Sequence, residues 1–243
     1  MNIAIIFAGG VGSRMGGNAV PKQFLRVDDV PIIVHTLQIF QNHDDIDKIY
    51  IAMLESYIPK MKRLVKIYDL SKVCAIVPGG ATGQDSIYNA LTKAAEENPA
   101  DSIVLIHDGV RPILTEQVIT NNIEGVRDFG SAITTIPCTE TIVVSHDGLS
   151  SISIPPRKDL YKAQAPQSFI LQDIIDAHNQ VRNTPERYDN LVDSCSIYFK
   201  LNKPLHFVQG NLGNLKVTTP NDFYIIEGLL RYRDAIQAFG VNE

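Results

Sequence analysis

NIAIIFAGGVGSRMGG, residues 2 to 17, joins an apolar run to a loop holding five glycines and one arginine. The run Asn2 to Phe7 lacks the polar alternation of a half-exposed strand, so it reads as a strand buried on both faces. A glycine-rich loop directly after such a strand is a place where backbone N–H groups can approach a phosphate. Downstream, the pattern repeats. Strand-like runs at Lys48 to Ala52, Val73 to Val77 and Ser102 to Ile106 alternate with helical periodicity over Ile32 to Phe40, Tyr57 to Tyr68, Asp85 to Glu97 and Glu116 to Phe129. That alternation predicts an α/β fold with a doubly wound, mostly parallel, Rossmann-like sheet covered on both faces.

The rhythm changes after about residue 137. Thr141 to Ser145 and Leu149 to Ile154 are short β-prone runs separated by His146-Asp147-Gly148, a turn signal, and they predict a protruding hairpin arm at about 138–160. Leu171 to Val181 and Asn190 to Leu201 then read as helices, Leu205 to Val208 as a strand and Asn221 to Tyr232 as the last helix. There is no Gly/Ser or Pro-rich linker and no internal repeat, so a single domain over residues 1–243 is expected.

The 44% hydrophobic and 20% charged composition is that of an ordered globular chain rather than a disordered one. The net charge of -5 argues against a general nucleic-acid or membrane-surface binder, which needs a basic face, and leaves room for a local basic pocket. Cys74, Cys138 and Cys195 are widely spaced and odd in number, which argues against a disulfide framework or a zinc site. No stretch approaches the roughly 20 apolar residues of a membrane span, and the first residues lack a secretory pattern. A cytoplasmic protein is expected.

The opening loop itself admits three chemistries. A Walker A loop requires Gly-Lys-Ser/Thr, which Arg14-Met15-Gly16 does not supply. A dinucleotide fingerprint requires G-x-G-x-x-G; after Gly10 and Gly12 the third glycine, Gly16, comes one place late, although Asp28 and Asp29 stand near the position of a ribose-binding carboxylate. A nucleotide-triphosphate loop combines backbone N–H groups with nearby cations, and here Arg14 and Lys22 bracket the segment. Solvated cations beside a tight turn are the plain alternative, and the loop alone leaves the choice open.

Five ordered motifs narrow it. AGGVGSRMG (from Ala8), PKQFL (from Pro21), HDGVRP (from His107), QAPQSF (from Gln164) and NLKVTTPND (from Asn214) together resemble the CTP-dependent cytidylyltransferases of polyol phosphates, over nearly the whole chain. The resemblance implies a nucleotidyltransferase fold and a reaction in which a polyol phosphate oxygen attacks the α-phosphorus of CTP, releasing pyrophosphate. Two anions must then be brought together, so cations have to converge on the reacting phosphate.

By that resemblance Arg14, Lys22 and Lys216 stabilise the transition state. Phe7, Ala8, Gly9, Gly10 and Gly12 contact the nucleotide, and Gly79, Gly80, Ala81 and Ser86 form the loop that reads cytosine and ribose. On the residues alone, the same loop is equally a turn before a helix capped by Asp85 or Ser86. Asp108 is expected to face a triphosphate-bound Mg²⁺, or else to pair with Arg111 and shape its loop; Asp108 and Arg111 are both expected at the acceptor. His107 is read as a packing or hydrogen-bonding residue rather than a catalytic one. Arg157 matches the arginine that binds the acceptor phosphate, a bidentate role suited to a guanidinium, and Thr141 an acceptor-contacting threonine. In the family this arm crosses to a second subunit, which implies a homodimer.

Gly83 stands where the family usually has arginine, Glu140 where it has aspartate and Ala165 where it has threonine. These departures keep a non-catalytic nucleotide-binding homologue among the alternatives, and the glycine loop keeps a nicotinamide-dependent oxidoreductase there as a weaker one. VPKQFL, TIVVS, IPPRKDLYKAQAPQSF and LVDSCSI incline toward the ribitol 5-phosphate branch over the 2-C-methyl-D-erythritol 4-phosphate branch. The two acceptors differ by hydroxyls and one methyl group, worth about 1–3 kcal/mol in an apolar contact.

Overall fold

The computed structural model describes residues 1–9 and 20–239, with side chains through 233. Gly10, Gly12 and Arg14, named above as loop residues, lie outside the described residues. In chain order the elements are β1 (Asn2–Ala8), β2 (Arg26–Val27), β3 (Val30–Pro31), α1 (Ile32–Asn42), β4 (Lys48–Met53), α2 (Ile58–Ile67), β5 (Val73–Pro78) and α3 (Gly83–Ala95). They continue with β6 (Ile103–Asp108), α4 (Glu116–Phe129), β7 (Ser131–Pro137), β8 (Tyr161–Ile170), α5 (Leu171–Arg182), α6 (Ser194–Lys200), β9 (Phe207–Gln209) and α7 (Pro220–Phe239).

The strand order of the large sheet is β5-β4-β1-β6-β8-β7-β9. Parallel pairing links β5 to β4, β4 to β1, β1 to β6 and β7 to β9, whereas β8 runs antiparallel to both β6 and β7. β1 shows why the opening run lacks alternation. Ile3 and Ile5 pack into the core formed with α3 and α5, while Ala4, Ile6 and Ala8 pack into the opposite core with α1, α2 and α4. Both faces are buried, as the sequence predicts, and the doubly wound, mostly parallel fold holds. A third cluster seats α7, through Ile226 and Leu230, on Val27, Ile32, Val110 and Val217.

Several predicted elements differ in detail. The cap of α3 is Thr82, whose hydroxyl accepts from the Asp85 N–H at 3.0 Å, not Asp85 or Ser86. The second helix of the C-terminal part starts at Ser194 rather than Asn190. Asn190 has φ 61, incompatible with a helix, and Asp193 caps α6 by accepting from the Ser196 N–H at 3.0 Å. The arm forms one isolated bridge, Val144 to Ser153, instead of a ladder. Asp147 draws the Leu149 and Ser150 N–H groups onto its own carboxylate, each at 2.8 Å, and ends the pairing there.

Candidate active site

β6 lies on the opposite side of β1 from β4 and β5. At such a reversal the loops leaving adjacent strand ends diverge and open a crevice at their carboxyl ends. Phe7 and Asp108 are register partners at those ends, and the Gly109 N–H donates to the Phe7 carbonyl at 3.0 Å. Two cavities meet above this point. One, of about 350 Å³, is bordered by Gly9, Lys22, Gln23, Gly80 and Ala81. The other, of about 230 Å³, is bordered by Arg111, Gln164, Gln167, Asp193 and Ser194. Phe7, Gly83, Asp108 and Lys216 line both, so the cleft has two lobes and a charged waist.

Asp108 organises the waist. Its carboxylate is 8% exposed, accepts from Arg111 Nε at 2.7 Å and pairs with Lys216 Nζ at 2.5 Å. Burial pushes the carboxyl upward, but Lys216 and Arg111 outweigh it and hold the group below the ordinary carboxylate range. Backbone contacts fix both cations. Arg111 also donates to the Asn214 carbonyl at 2.8 Å, and the Val217 N–H donates to the Val110 carbonyl at 3.1 Å. Lys216 Nζ stands 5.8 Å from the centre of the Phe7 ring. The strap carrying Lys216 is held in turn by β8. Asn214 donates to the Ala165 carbonyl at 2.6 Å, beside the cis Ala165–Pro166 peptide and the bulge opposite Thr134.

The wall of the larger lobe is the loop from Gly79 to Thr82. Ser86 ties it down: its hydroxyl accepts from the Gly80 N–H at 3.0 Å and donates to the Thr82 carbonyl at 2.9 Å. A Cβ on Gly9 or Gly79 would meet that hydroxyl at 2.8 and 3.0 Å, so glycine at these places is what lets the loops close on Ser86. Asp85 braces the same turn. Arg182 and Arg187 donate to its Oδ1 at 2.8 and 3.1 Å, and the Thr82 hydroxyl donates to its Oδ2 at 2.9 Å.

The structure thus gathers Phe7, Ala8, Gly9, Lys22, Gly80, Ala81, Asp108, Arg111 and Lys216 around one cleft. Ser86 and Gly79 stand behind the loop instead of lining it. Thr141 and Arg157 meet each other on the exposed arm, with the guanidinium donating to the hydroxyl at 3.3 Å, and neither lines either cavity. His107 is fully buried and pushed down to about 4 by desolvation; its Nε2 faces the Arg111 carbonyl at 3.2 Å, which bears out a packing residue. Sequence reasoning missed Gln23, Gln164, Gln167, Asp193 and Ser194. Gln23, 1% exposed, donates to the Ala8 carbonyl at 2.9 Å and secures the end of β1. The others lie in QAPQSF and LVDSCSI, which the sequence marks as family and branch motifs and, for the second, as part of a helix, without giving any residue in them a role at the site.

Among the described residues, no group of three or more His, Cys, Asp or Glu side chains gathers as a metal cage. Mg²⁺ commonly binds through one or two carboxylates plus substrate phosphates; the single waist carboxylate, Asp108, is paired through one oxygen with Arg111, the alternative the sequence offered, and through the other with Lys216, so it would take an ion carried by a nucleotide only by releasing one of them. No helix among the described residues is long and apolar enough to cross a membrane.

The family model described as IspD, 2-C-methyl-D-erythritol 4-phosphate cytidylyltransferase, matches residues 2–232. A ribitol-5-phosphate cytidylyltransferase of Vibrio parahaemolyticus is 42% identical over 99% of this chain and 100% of its own length. One from Streptococcus agalactiae is 41% identical over the same shares of the two chains. Among solved structures, the 4-diphosphocytidyl-2C-methyl-D-erythritol synthase of Anaerococcus prevotii superposes with a TM-score of 0.80 at 23% identity, covering 95% of this chain and 96% of its own, a likeness of fold.

Proposed function

We propose, from the premise that this chain belongs to the IspD family of cytidylyltransferases, that it transfers CMP from CTP to ribitol 5-phosphate. A cytidylyltransferase has to hold a nucleotide and a phosphorylated acceptor with one phosphorus between them. The observation that carries the assignment is the charged waist, where Asp108, Arg111 and Lys216 stand between two lobes. CTP occupies the larger lobe, with its base against Gly80 and Ala81 and its phosphates toward Gly9, Lys22 and Lys216. The acceptor occupies the smaller lobe. An acceptor phosphate oxygen forms a bond to the α-phosphorus, the bond from that phosphorus to the bridging oxygen of the β-phosphate breaks, and pyrophosphate leaves with the bond's electrons.

No proton transfer is demanded of the protein in that step. The residues' task is to offset the charge on two anions at contact, and Lys22, Lys216 and Arg14 are the cations for it. A divalent cation would be held mainly by the triphosphate oxygens, with Asp108 as the carboxylate within the cleft, and would supply further offset of phosphate charge. Arg157 and Thr141 serve the acceptor phosphate of a neighbouring copy in a homodimer. The apolar face of the arm, with Leu149 94% exposed and Ile154 61% exposed, supports burial against such a copy.

The acceptor is taken from the full-length relatives at 42% and 41% identity, which carry the ribitol-5-phosphate name. The family name supplies the second reading, 2-C-methyl-D-erythritol 4-phosphate. Pyrophosphate release measured with CTP, Mg²⁺ and each polyol phosphate decides between them. The proposal predicts a clear excess of kcat/KM for ribitol 5-phosphate, and an excess for the branched erythritol refutes it.

A further inference from the structure

Arg182 closes α5 outside the cleft and lines neither cavity, yet it bonds to the turn on which the nucleotide wall rests. His178, Asn179 and Arg182 lie within one turn on the same side of that helix, and Asp85 and Tyr88 face them from α3. The Tyr88 hydroxyl donates to Asn179 Oδ1 at 2.8 Å, and the Tyr188 hydroxyl lies 2.6 Å from His178 Nδ1. Both rings are thereby pinned to α5. The Arg182 guanidinium carbon stands 4.2 Å from the centre of the Tyr88 ring and 5.9 Å from that of Tyr188, while its Nη1 donates to Asp85 Oδ1 at 2.8 Å. Arg187 reaches the same oxygen at 3.1 Å, but its side chain is 51% exposed against 29% for Arg182. The inner arginine is therefore the firmer hold on Asp85.

The loop moves with Asp85. The Asp85 Cβ fills the space that a Cβ on Gly80 would take, so the two residues abut without slack. Asp85 Oδ2 accepts from the Thr82 hydroxyl at 2.9 Å, and Ser86 holds the Gly80 N–H and the Thr82 carbonyl. Peptide groups at both ends of the stretch from Gly80 to Thr82 thus point in fixed directions. Cytosine presents an amino donor where uracil presents a carbonyl acceptor. A rigid backbone edge suits one of them, whereas an edge that can turn suits both. We propose that Arg182 is a positioning residue, acting through Asp85, that sets how strictly the loop from Gly79 to Thr82 prefers CTP to UTP. The proposal rests on the reading above, in which the base lies against Gly80 and Ala81. A hydrogen-bonding site rejects the mismatched group only while its own donors and acceptors stay in place.

Calorimetric titration with CTP and with UTP, each with Mg²⁺, reads the ratio of the UTP to the CTP dissociation constant. In Arg182→Gln that ratio is expected to fall about three- to tenfold, the worth of one neutral hydrogen bond at the base, mainly through weaker CTP binding. Arg182→Lys keeps the charge but not the planar fork, and its ratio falls between those of the wild type and Arg182→Gln. Arg187→Gln alters the exposed donor, lowers the ratio less, and carries the test if Arg182→Gln does not fold. Ile174→Val trims a buried side chain two turns earlier on α5; it lowers the thermal midpoint and leaves the ratio at the wild-type value, which separates positioning from a general loss of stability. An unchanged ratio in the arginine variants, or an equal shift in Ile174→Val, overturns the proposal. A wild type without preference for CTP refutes the placement of the base, and no pyrophosphate release with any polyol phosphate refutes cytidylyl transfer; both are seen before a variant is measured.

Discussion

Gly80→Ala places a methyl group where the chain has no space for it. The added Cβ would lie 2.2 Å from the Cβ of Asp85, 3.0 Å from its carbonyl carbon and 3.2 Å from its Cα, against about 3.5–4.0 Å for a relaxed carbon contact. No side-chain rotation moves any of those atoms. Asp85 cannot retreat cheaply either, because Arg182, Arg187 and Thr82 all hold its carboxylate. The loop from Gly79 to Thr82 must therefore shift on the order of 1 Å, at a cost of about 1–3 kcal/mol for overpacking. A displacement of that size in a positioning loop costs roughly 100-fold in rate, so kcat/KM for CTP is expected to fall by about that factor while KM for the acceptor holds. Gly83→Ala is the matched control, since its Cβ would meet nothing within 4 Å. Steady-state kinetics and urea unfolding of both variants check the argument. If the two are indistinguishable in CTP kinetics and in stability, the reasoning about the loop is wrong.

Lys216→Met removes a cation from the waist and is expected to lower kcat by about 100- to 1,000-fold. It also lowers stability by about 1–3 kcal/mol, less than the 3–5 kcal/mol of a fully broken buried pair because Arg111 still holds Asp108; single-turnover rates and denaturant unfolding measure the two effects, and a preserved kcat would remove Lys216 from the chemistry. Gly83→Arg adds a cation beside both lobes at an open position, so stability should hold or rise by up to about 1 kcal/mol, and KM for CTP should fall a few-fold; weaker CTP binding by calorimetry would contradict that. His107 and His178 are pushed down by burial to about 4 and about 3, whereas the unfolded chain takes up their protons near pH 6.5. Their buried neutral forms are therefore compatible with full stability above about pH 6.5, and stability declines by a few kcal/mol as pH falls toward 4; urea unfolding that is flat between pH 7 and 5 would contradict the assignment.

What the sequence could reveal follows from where each element spends its polar groups. β1, β4 and β6 are legible because both their faces are apolar, and β5 because its run sits between two periodic helices. β8 is not legible. Its residues Gln164, Gln167 and Ser168 are polar and Pro166 interrupts the pattern, signals that demote a strand. It is a buried strand because distant partners satisfy those groups: Asn122 accepts from Ser168 at 2.8 Å, and Thr134 donates to the Pro166 carbonyl at 2.7 Å. Neither partner is near in sequence. The adjoining β7 follows α4 after Gly130 alone, and it became visible only with β8 beside it. In the cleft, the cations and glycines are legible as site residues through ordered motifs, while Gln167, Asp193 and Ser194 lie in quoted motifs too, but their place in the cleft wall depends on tertiary packing of β8 against the start of α6.

The reversal of β8 divides the molecule into two unlike rims. Because β8 alone among the described strands of the large sheet runs against its neighbours, its first residues share an edge with the last residues of β1, β6 and β7. The arm between β7 and β8 has to spring from that edge and return to it. The opposite rim carries the turns before β4, β5 and β6, where Tyr50 donates to Glu97 at 2.8 Å and Lys48 to Asn98 at 2.8 Å. Those bonds tie strand beginnings together and face no cleft. Insertions or fusions at that rim are expected to act on folding alone, whereas exchange of segments along the cleft rim is expected to change what the cleft accepts while the seven-stranded scaffold stays as it is.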